Sequence, residues 1–469
     1  MVYQNRPLFC QEKFTSLYRA GMIQSILFML ISSMDALLAG HFLGEAAVSA
    51  VQVPQPMALV FMFLIQIFVA GCRILYAEEI GRYDQKKAND YFSTALTIAL
   101  ALSALLFLFI LIASEATLHI YHLSDDVYVL AKEYLRYYKY VYIFSPLISF
   151  LGAMVYCDGD TKTSVLATVL YTLTNFLLSI LGVIYLGMAG ISLGTVVSGS
   201  VSLVIYCSHF FRKEGSLRYH LHFSFRELTK LVKYSLKDST YTLAAGLGGI
   251  LTTRFICGRF GSAYLSVYVV INFALGFTGL YSGLAESMLV LFNTYRGEKN
   301  RDGVLKTLRV TFRGVCQVSA ALTLVFCLAA PLIARSFSLQ SPELFSSAVF
   351  GIRVVSLTFC FIGLMDILTA YYNAQGKVVM STFLARCKDS FFSIGMLILL
   401  ESILGAWGMW LGLMLSPVVA FLLSLVVLLL RFGKRMFFCF QRMRGKAPAG
   451  ILWWTPAASW SFVTAPGNT

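Results

Sequence analysis

Charged residues are scarce in this 469-residue chain, at 13% of the composition, whereas 58% of the residues are hydrophobic and the mean hydropathy is +0.75. Soluble globular chains have about 25% charged and about 45–50% apolar residues. The composition therefore excludes an ordinary soluble enzyme. The net charge of +14 does not indicate a nucleic-acid partner either, because the basic residues lie in short loops between apolar runs, where they determine membrane topology.

Motifs of enzymes, metal sites and channels are also missing. The ten cysteines are scattered singly, without the paired Cys or Cys/His spacing that is typical of zinc sites. The sequence contains no HExxH and no nucleophile with an adjacent base, and it shows no repeated filter signature. Two His pairs lie outside membrane depth: His119/His122 in a predicted external loop and His220/His222 in a basic linker. We predict no catalytic residue, no metal site and no cofactor.

Long apolar segments dominate what is present, and they recur with polar breaks between them. They predict an all-α integral membrane protein. The predicted transmembrane helices number twelve and cover residues 17–39, 51–77, 92–114, 133–156, 163–187, 189–211, 235–257, 264–292, 311–335, 346–372, 382–404 and 405–431. Two successive pairs are separated only by glycine-containing breaks near Gly187 and Gly405, which predicts tight helical hairpins.

Basic residues divide the chain and give it an orientation. Most Lys and Arg residues fall on one side of the predicted helices, so both termini are predicted to be cytoplasmic in a multi-pass protein of the cell membrane. The predicted parts are an N-lobe, a basic cytoplasmic linker, a C-lobe and a disordered cytoplasmic tail, at residues 1–211, 212–234, 235–431 and 432–469. Because each half has six helices, the two bundles are related by a pseudo-two-fold axis along the membrane normal, an arrangement typical of secondary transporters.

Several motifs add a family resemblance. MDALLAGHFLG runs from Met34 to Gly44, a helix with Pro54 and Pro56 follows, and GRYD comes later; a second stretch runs from Asn175 to Thr195. In this order the motifs resemble the multidrug and toxic compound extrusion (MATE) family over about residues 15–435. The resemblance implies a cation-coupled antiporter that exports amphipathic organic compounds by alternating access. The wider superfamily includes flippases for lipid-linked oligosaccharides on this fold, so a flippase remains the alternative.

Asp35 is the first candidate coupling residue. A charged carboxylate inside a membrane helix costs about 2.5–3.5 kcal/mol on insertion scales, so Asp35 is expected to face the protein interior. Burial favours the neutral form of a carboxyl group, as a site that exchanges a proton requires. The alternative is a structural Asp that bonds Ser32 or Ser33. In the family, the matching Asp works with an Asn and a hydroxyl, which implies Asn175 and Thr195 here.

The family also bears on which ion drives transport. Many members have a second Asp where this chain has Ser179, so the predicted site has a single carboxylate. That favours a proton over sodium, which needs several oxygen ligands. Glu286 and Asp366 are candidates for a C-lobe cation or substrate site, with ion pairs to Arg353 or Arg254 as the alternative.

The predicted partners follow from the same reasoning. They are small organic cations or amphipathic drugs and the lipid bilayer, without nucleic acid, and the chain is expected to be a monomer. Aromatic residues suit flat organic cations. Those at the start of the fourth helix are therefore either substrate contacts or packing residues: Tyr137, Tyr138, Tyr140 and Tyr142.

Overall fold

The structure is a computed structural model that describes residues 18, 22, 26, 29, 33–211, 215–297, 300–339, 341–374, 380–381, 383–384 and 392–444. Within these residues the secondary structure is helical throughout, with turns and no strand. The predicted all-α class is confirmed.

Fifteen α-helices of eight residues or more lie within the described residues. In the first half they are α1 (33–43), α2 (Glu45–Gln52), α3 (Gln55–Gly81), α4 (Gln85–His119), α5 (Asp125–Tyr138), α6 (Val141–Cys157) and α7 (Thr161–Ser208). In the second half they are α8 (Phe225–Phe260), α9 (Tyr264–Gly276), α10 (Leu280–Gly297), α11 (Arg301–Ser336), α12 (Pro342–Ser356), α13 (Phe359–Ala374), α14 (Phe392–Leu404) and α15 (Ala406–Arg444).

All twelve predicted helices are represented among these segments, because α7 supplies two of them and the pairs α5/α6, α9/α10 and α12/α13 supply one each, while α2 is an additional short helix. Among the described residues, six helices are long and apolar enough to cross a membrane, and the number rises to eight if the bent pairs α5/α6 (52°) and α12/α13 (44°) each count as one span. One of the six, α7, reverses at Gly187 and supplies two of the predicted helices. α1, α8 and α14 match predicted helices one, seven and eleven. The arrangement fits twelve helices in two lobes.

The same backbone breaks occur in both halves. Gly44 and Gly261 both have φ 91°, and Gly187 and Gly405 have φ 59° and 62°. Each pair is 217 or 218 residues apart. Only glycine adopts such φ values without strain, so the turns recur at corresponding places. The bends between α5 and α6 and between α12 and α13 recur in the same way.

Helix α7 is an antiparallel hairpin whose two arms pack backbone against backbone. A Cβ atom at Gly190 would collide with the backbone of Gly182, and one at Gly194 would collide with Ser179. Small residues at such contacts let membrane helices approach closely. The hairpin predicted at Gly187 is therefore present, and glycines on both arms determine how close the arms come.

Helix α8 begins at Phe225, earlier than the predicted start at residue 235. Its first turns carry Arg226, Glu227 and Lys230, and an apolar run marks only the part of a helix that lies in lipid. α8 packs along α3, with Gly71 against Leu231 and Gly246 against Val60. This contact joins the two halves.

The halves also meet at the face that carries the turns at Gly44, Ser124, Gly261 and Ser341, which we call the Ser124 face. The hydroxyl oxygens of Ser124 and Ser262 are 2.7 Å apart. Ser49 donates a hydrogen bond to the Ala263 carbonyl (3.3 Å), and Ser341 donates one to the Glu45 carboxylate. The two halves are therefore in contact at the Ser124 face.

A second unit begins at Leu422. Its described part is the end of α15 and is helical through Arg444. The rest of the predicted disordered tail, residues 445–469, lies outside the described residues.

Candidate functional site

Asp35 on α1 is buried, with 8% of its surface exposed. Its Oδ2 accepts a hydrogen bond from the Tyr134 hydroxyl at 2.6 Å and one from Thr195 Oγ1 at 3.1 Å. These partners come from α5 and from the second arm of α7. Three helices of the first half therefore meet at one carboxylate, and donors from two other helices compensate for much of its lost hydration.

Asn175 extends this arrangement to the first arm of α7. Its Nδ2 donates to Thr195 Oγ1 at 3.1 Å. A threonine hydroxyl has one proton to donate and can also accept, so the amide of Asn175 leaves the proton of Thr195 for Asp35 or for the Ile191 carbonyl at 3.3 Å. The structure brings the predicted Asp35, Asn175 and Thr195 together in one hydrogen-bonded chain.

Ser179 lies one turn after Asn175 but serves the hairpin. Its side chain is fully buried, and its Oγ donates to the Ile191 carbonyl at 3.3 Å. The backbone of Gly194 lies directly against it. Ser179 thus holds the two arms of α7 together, and its role in cation coupling stays a prediction.

The turn of the α7 hairpin is held by α5. Oε1 of Glu133 accepts a hydrogen bond from the Ala189 N–H at 3.4 Å, at the start of the second arm. A carboxylate at a helix N-terminus bonds free N–H groups and interacts favourably with the helix dipole. Glu133 and Tyr134 are adjacent, so α5 positions the second arm, and with it Thr195, next to Asp35.

Tyr134 is the site residue that the sequence analysis missed. The sequence points instead to its neighbours Tyr137, Tyr138, Tyr140 and Tyr142. Tyr134 stacks on Tyr138 with ring centroids 4.9 Å apart, and Tyr138 meets the Tyr142 ring at 5.8 Å. The signal was the four-residue spacing of these three tyrosines, which predicts a shared face on a continuous helix; in the structure, Tyr142 lies beyond the bend, on α6.

The second half supplies no described partner to Asp35. Asp366 is half-buried on α13, which packs against α10 and α11. The Glu286 side chain lies outside the described residues. Arg353 is exposed and donates from Nε to the Cys327 carbonyl at 3.3 Å, and Arg254 is also exposed. A C-lobe cation or substrate site stays a prediction.

Comparison with known proteins agrees with this arrangement. The family model MatE matches residues 21–181. An uncharacterized transporter of Bacillus subtilis (strain 168), YisQ, is 21% identical over 339 residues, which cover 70% of this chain and 73% of that protein.

Solved structures share the fold over nearly the whole chain. An inward-facing MATE multidrug resistance transporter of the MOP superfamily matches with a TM-score of 0.77 and 16% identity, covering 87% of this chain and 95% of that one. The MATE multidrug transporter DinF-BH in complex with R6G matches with a TM-score of 0.73 and 19% identity, covering 90% and 95%. The outward-facing conformation of a MATE transporter of the MOP superfamily gives a TM-score of 0.70 at 17% identity, covering 91% and 96%. The family match to the first helices and the fold shared along nearly the whole chain together support a transporter of the MATE family.

Proposed function

We propose that this transporter is a proton-coupled antiporter that exports amphipathic organic compounds by alternating access. The observation that carries the proposal is the buried Asp35 carboxyl group, which ends the hydrogen-bonded chain from Asn175 through Thr195. A coupling group must be neutral in one state of the cycle and charged in the other. Hydrogen-bond donors on two helices stabilise the charged form, and burial favours the neutral form.

The surroundings of Asp35 favour a proton as the coupling ion. The two groups that bond its carboxylate, the Tyr134 and Thr195 hydroxyls, act as donors. Sodium and other hard cations need several oxygen acceptors. The Ser179 hydroxyl stands where the family resemblance implies a second carboxylate in many members, and it bonds the Ile191 carbonyl. One carboxylate is enough to bind a proton.

The proposed substrate class rests on the relatives. DinF-BH was solved with R6G bound, and amphipathic organic compounds are the substrates that we propose for this chain. We also propose that the protein lies in the cell membrane with both termini cytoplasmic, because the basic loops lie on the side opposite the Ser124 face.

Contact at the Ser124 face supports alternating access. In the proposed orientation this face is external, so the structure has its external side closed. The fold of this chain matches the inward-facing relative more closely, with a TM-score of 0.77, than the outward-facing relative, with a TM-score of 0.70. Opening toward the outside requires the contacts of Ser124 with Ser262 and of Ser341 with Glu45 to separate.

The test is transport of ethidium in everted vesicles under an imposed pH gradient and, separately, a sodium gradient. We expect the pH gradient alone to drive transport. The Asp35→Asn variant, in which the side chain can no longer be charged, should insert but lose at least 90% of the driven rate, on the order of tenfold. Asp126→Asn, at an exposed position in the first turn of α5, is the matched control and should transport normally. Absence of gradient-driven transport across a panel of organic cations would overturn the drug-antiporter proposal and favour a flippase.

A further inference from the structure

Two histidines and an aspartate that have no part in the Asp35 site meet near the junction of the two halves. The cluster consists of Asp90, His220 and His222, whose metal-binding atoms all lie within 4.8 Å of one another. Asp90 lies near the start of α4, and both histidines lie in the segment that leads into α8. His220 and His222 lie in the basic linker, outside membrane depth, where the sequence predicts no site.

The fold holds this segment in a defined place on α4. Asn89 Nδ2 donates to the Ser216 carbonyl at 3.2 Å, and Asn89 Oδ1 accepts from the Arg218 N–H at 3.0 Å. One turn later, Ser93 Oγ accepts from the His220 N–H at 3.2 Å. Backbone hydrogen bonds on both sides of the cluster thus fix His220 opposite Asp90, so the cluster does not depend on chance orientation of long surface side chains.

The two histidines have different hydrogen-bond partners. His220 Nε2 lies 2.7 Å from Asp90 Oδ1, while its Nδ1 lies 3.3 Å from Ser93 Oγ. His222 Nε2 lies 3.2 Å from a carboxylate oxygen of Glu227, which also accepts from Thr94 Oγ1 at 2.7 Å. Histidines that bind metals in proteins usually donate their second N–H to a carboxylate or another acceptor, which fixes the tautomer.

We propose that Asp90, His220 and His222 form a binding site for a divalent metal ion of the zinc class. His220 binds through Nε2 and His222 through Nδ1, with Ser93 and Glu227 as their outer hydrogen-bond partners. Nitrogen and carboxylate ligands suit zinc, and a tetrahedral site with bonds of about 2.0–2.2 Å places its ligand atoms about 3.3 Å apart. His220 Nε2 and Asp90 Oδ1 are 2.7 Å apart, and all three ligand atoms lie within 4.8 Å of one another. Small side-chain movements would bring these distances to about 3.3 Å.

Exposure of the cluster allows a metal to enter. The His220 and His222 side chains are 43% and 35% exposed, whereas Asp90 is 18% exposed. Water can therefore supply the fourth ligand. The competing interpretation is a set of surface ion pairs, which contribute about 0–1 kcal/mol each. Separate ion pairs would form independently of one another, whereas a bound metal ion needs both histidines and Asp90 at the same time.

A bound metal would link the two halves. Asp90 belongs to α4 of the first half, and His222 is followed closely by α8, which begins at Phe225. Binding at this site would restrain the segment between the halves. Because a ligand that binds only the folded state stabilises it, zinc should raise the thermal unfolding temperature of the protein.

The experiment measures Zn²⁺ binding to the full-length protein purified in detergent with a tag that lacks histidine and stripped with a chelator. Titration against a colorimetric zinc chelator should show one equivalent per chain, and Zn²⁺ should raise the unfolding temperature. The His220→Ala/His222→Ala variant should bind about 100-fold more weakly and lose the stabilisation. His119→Ala/His122→Ala removes two histidines from the opposite face and should bind as the parent does.

Asp90→Asn keeps the shape of the side chain and serves if the double histidine variant does not fold. It should bind at least tenfold more weakly, since a neutral amide replaces a charged ligand. The proposal fails if the parent protein binds no stoichiometric zinc, or if Asp90→Asn binds zinc with the parent affinity. Because zinc binding is measured without transport, failure of the metal-site proposal does not affect the proposed antiport, which the vesicle assay tests separately.

Discussion

At the scale of single residues, Asp35 depends on donors that α1 itself does not supply. Its hydrogen bonds come from Tyr134 and Thr195, which lie far away along the chain. Asp35 can be identified from the sequence because an acidic group in an apolar membrane helix is costly. The family resemblance adds Asn175 and Thr195. Tyr134 follows from neither, because it lies in α5 among several similar tyrosines.

Tyr134→Phe tests the contribution of this donor. The phenylalanine keeps the ring that stacks on Tyr138 but removes the hydroxyl that lies 2.6 Å from Asp35. A hydrogen bond to a charged group contributes about 1.5–3 kcal/mol, so we expect proton-driven transport to fall roughly 10- to 100-fold at a fixed pH gradient. Transport assays in everted vesicles measure this directly.

Tyr142→Phe is the control for that measurement. The Tyr142 hydroxyl donates weakly, at 3.4 Å, to the Pro54 carbonyl, so its loss should change transport by less than about twofold. Equal transport by Tyr134→Phe and the parent protein would show that the Tyr134 hydroxyl is dispensable for the function of Asp35.

At the scale of elements, the α7 hairpin sets the geometry of the site. Asn175 lies on one arm and Thr195 on the other, and their 3.1 Å hydrogen bond exists because the arms are in backbone contact. The sequence predicts the break at Gly187, since glycine tolerates its φ of 59°. It does not predict which glycines face the partner arm, because that depends on how the two arms rotate against each other.

Gly190→Ala tests the close contact between the arms. The added Cβ would collide with the Gly182 backbone, so the arms must separate, and we expect a loss of about 1–3 kcal/mol in stability. Gly199→Ala lies on the same arm, where the nearest atom is 3.4 Å from the added carbon, and should unfold near the parent temperature. The two variants and the parent protein are compared by thermal unfolding in detergent, followed by tryptophan fluorescence. Equal unfolding temperatures for all three would contradict the close contact of Gly190 with Gly182.

At the scale of the whole molecule, the two halves are in contact at the Ser124 face and along α3 and α8. The Ser124 face is closed by contacts of Ser124 with Ser262, Ser49 with Ala263 and Ser341 with Glu45. Elsewhere α3 and α8 pack along each other through Gly71 and Gly246. In the proposed alternating-access cycle, the first set of contacts must break and form again.

Ser124→Cys/Ser262→Cys tests this closure. The two hydroxyl oxygens are 2.7 Å apart, so the replacing sulfurs can approach bonding distance, about 2.05 Å. We expect an oxidant to cross-link the pair and to abolish transport, and a reductant to restore it. The single variants Ser124→Cys and Ser262→Cys should keep transport under the same oxidant. Full transport by the cross-linked double variant would show that this face does not open during the cycle.

The sequence by itself determined the membrane class, the twelve helices, the two related halves and the position of the costly Asp35, because apolar runs, turn glycines and basic loops act locally along the chain. The extent of α8 was less predictable, since its charged first turns resemble a linker. Only the tertiary structure decided that Tyr134 bonds Asp35, that Ser179 bonds Ile191, and that Asp90 meets His220 and His222. These contacts join residues far apart in sequence, and they depend on helix rotation and packing, which periodicity alone does not specify.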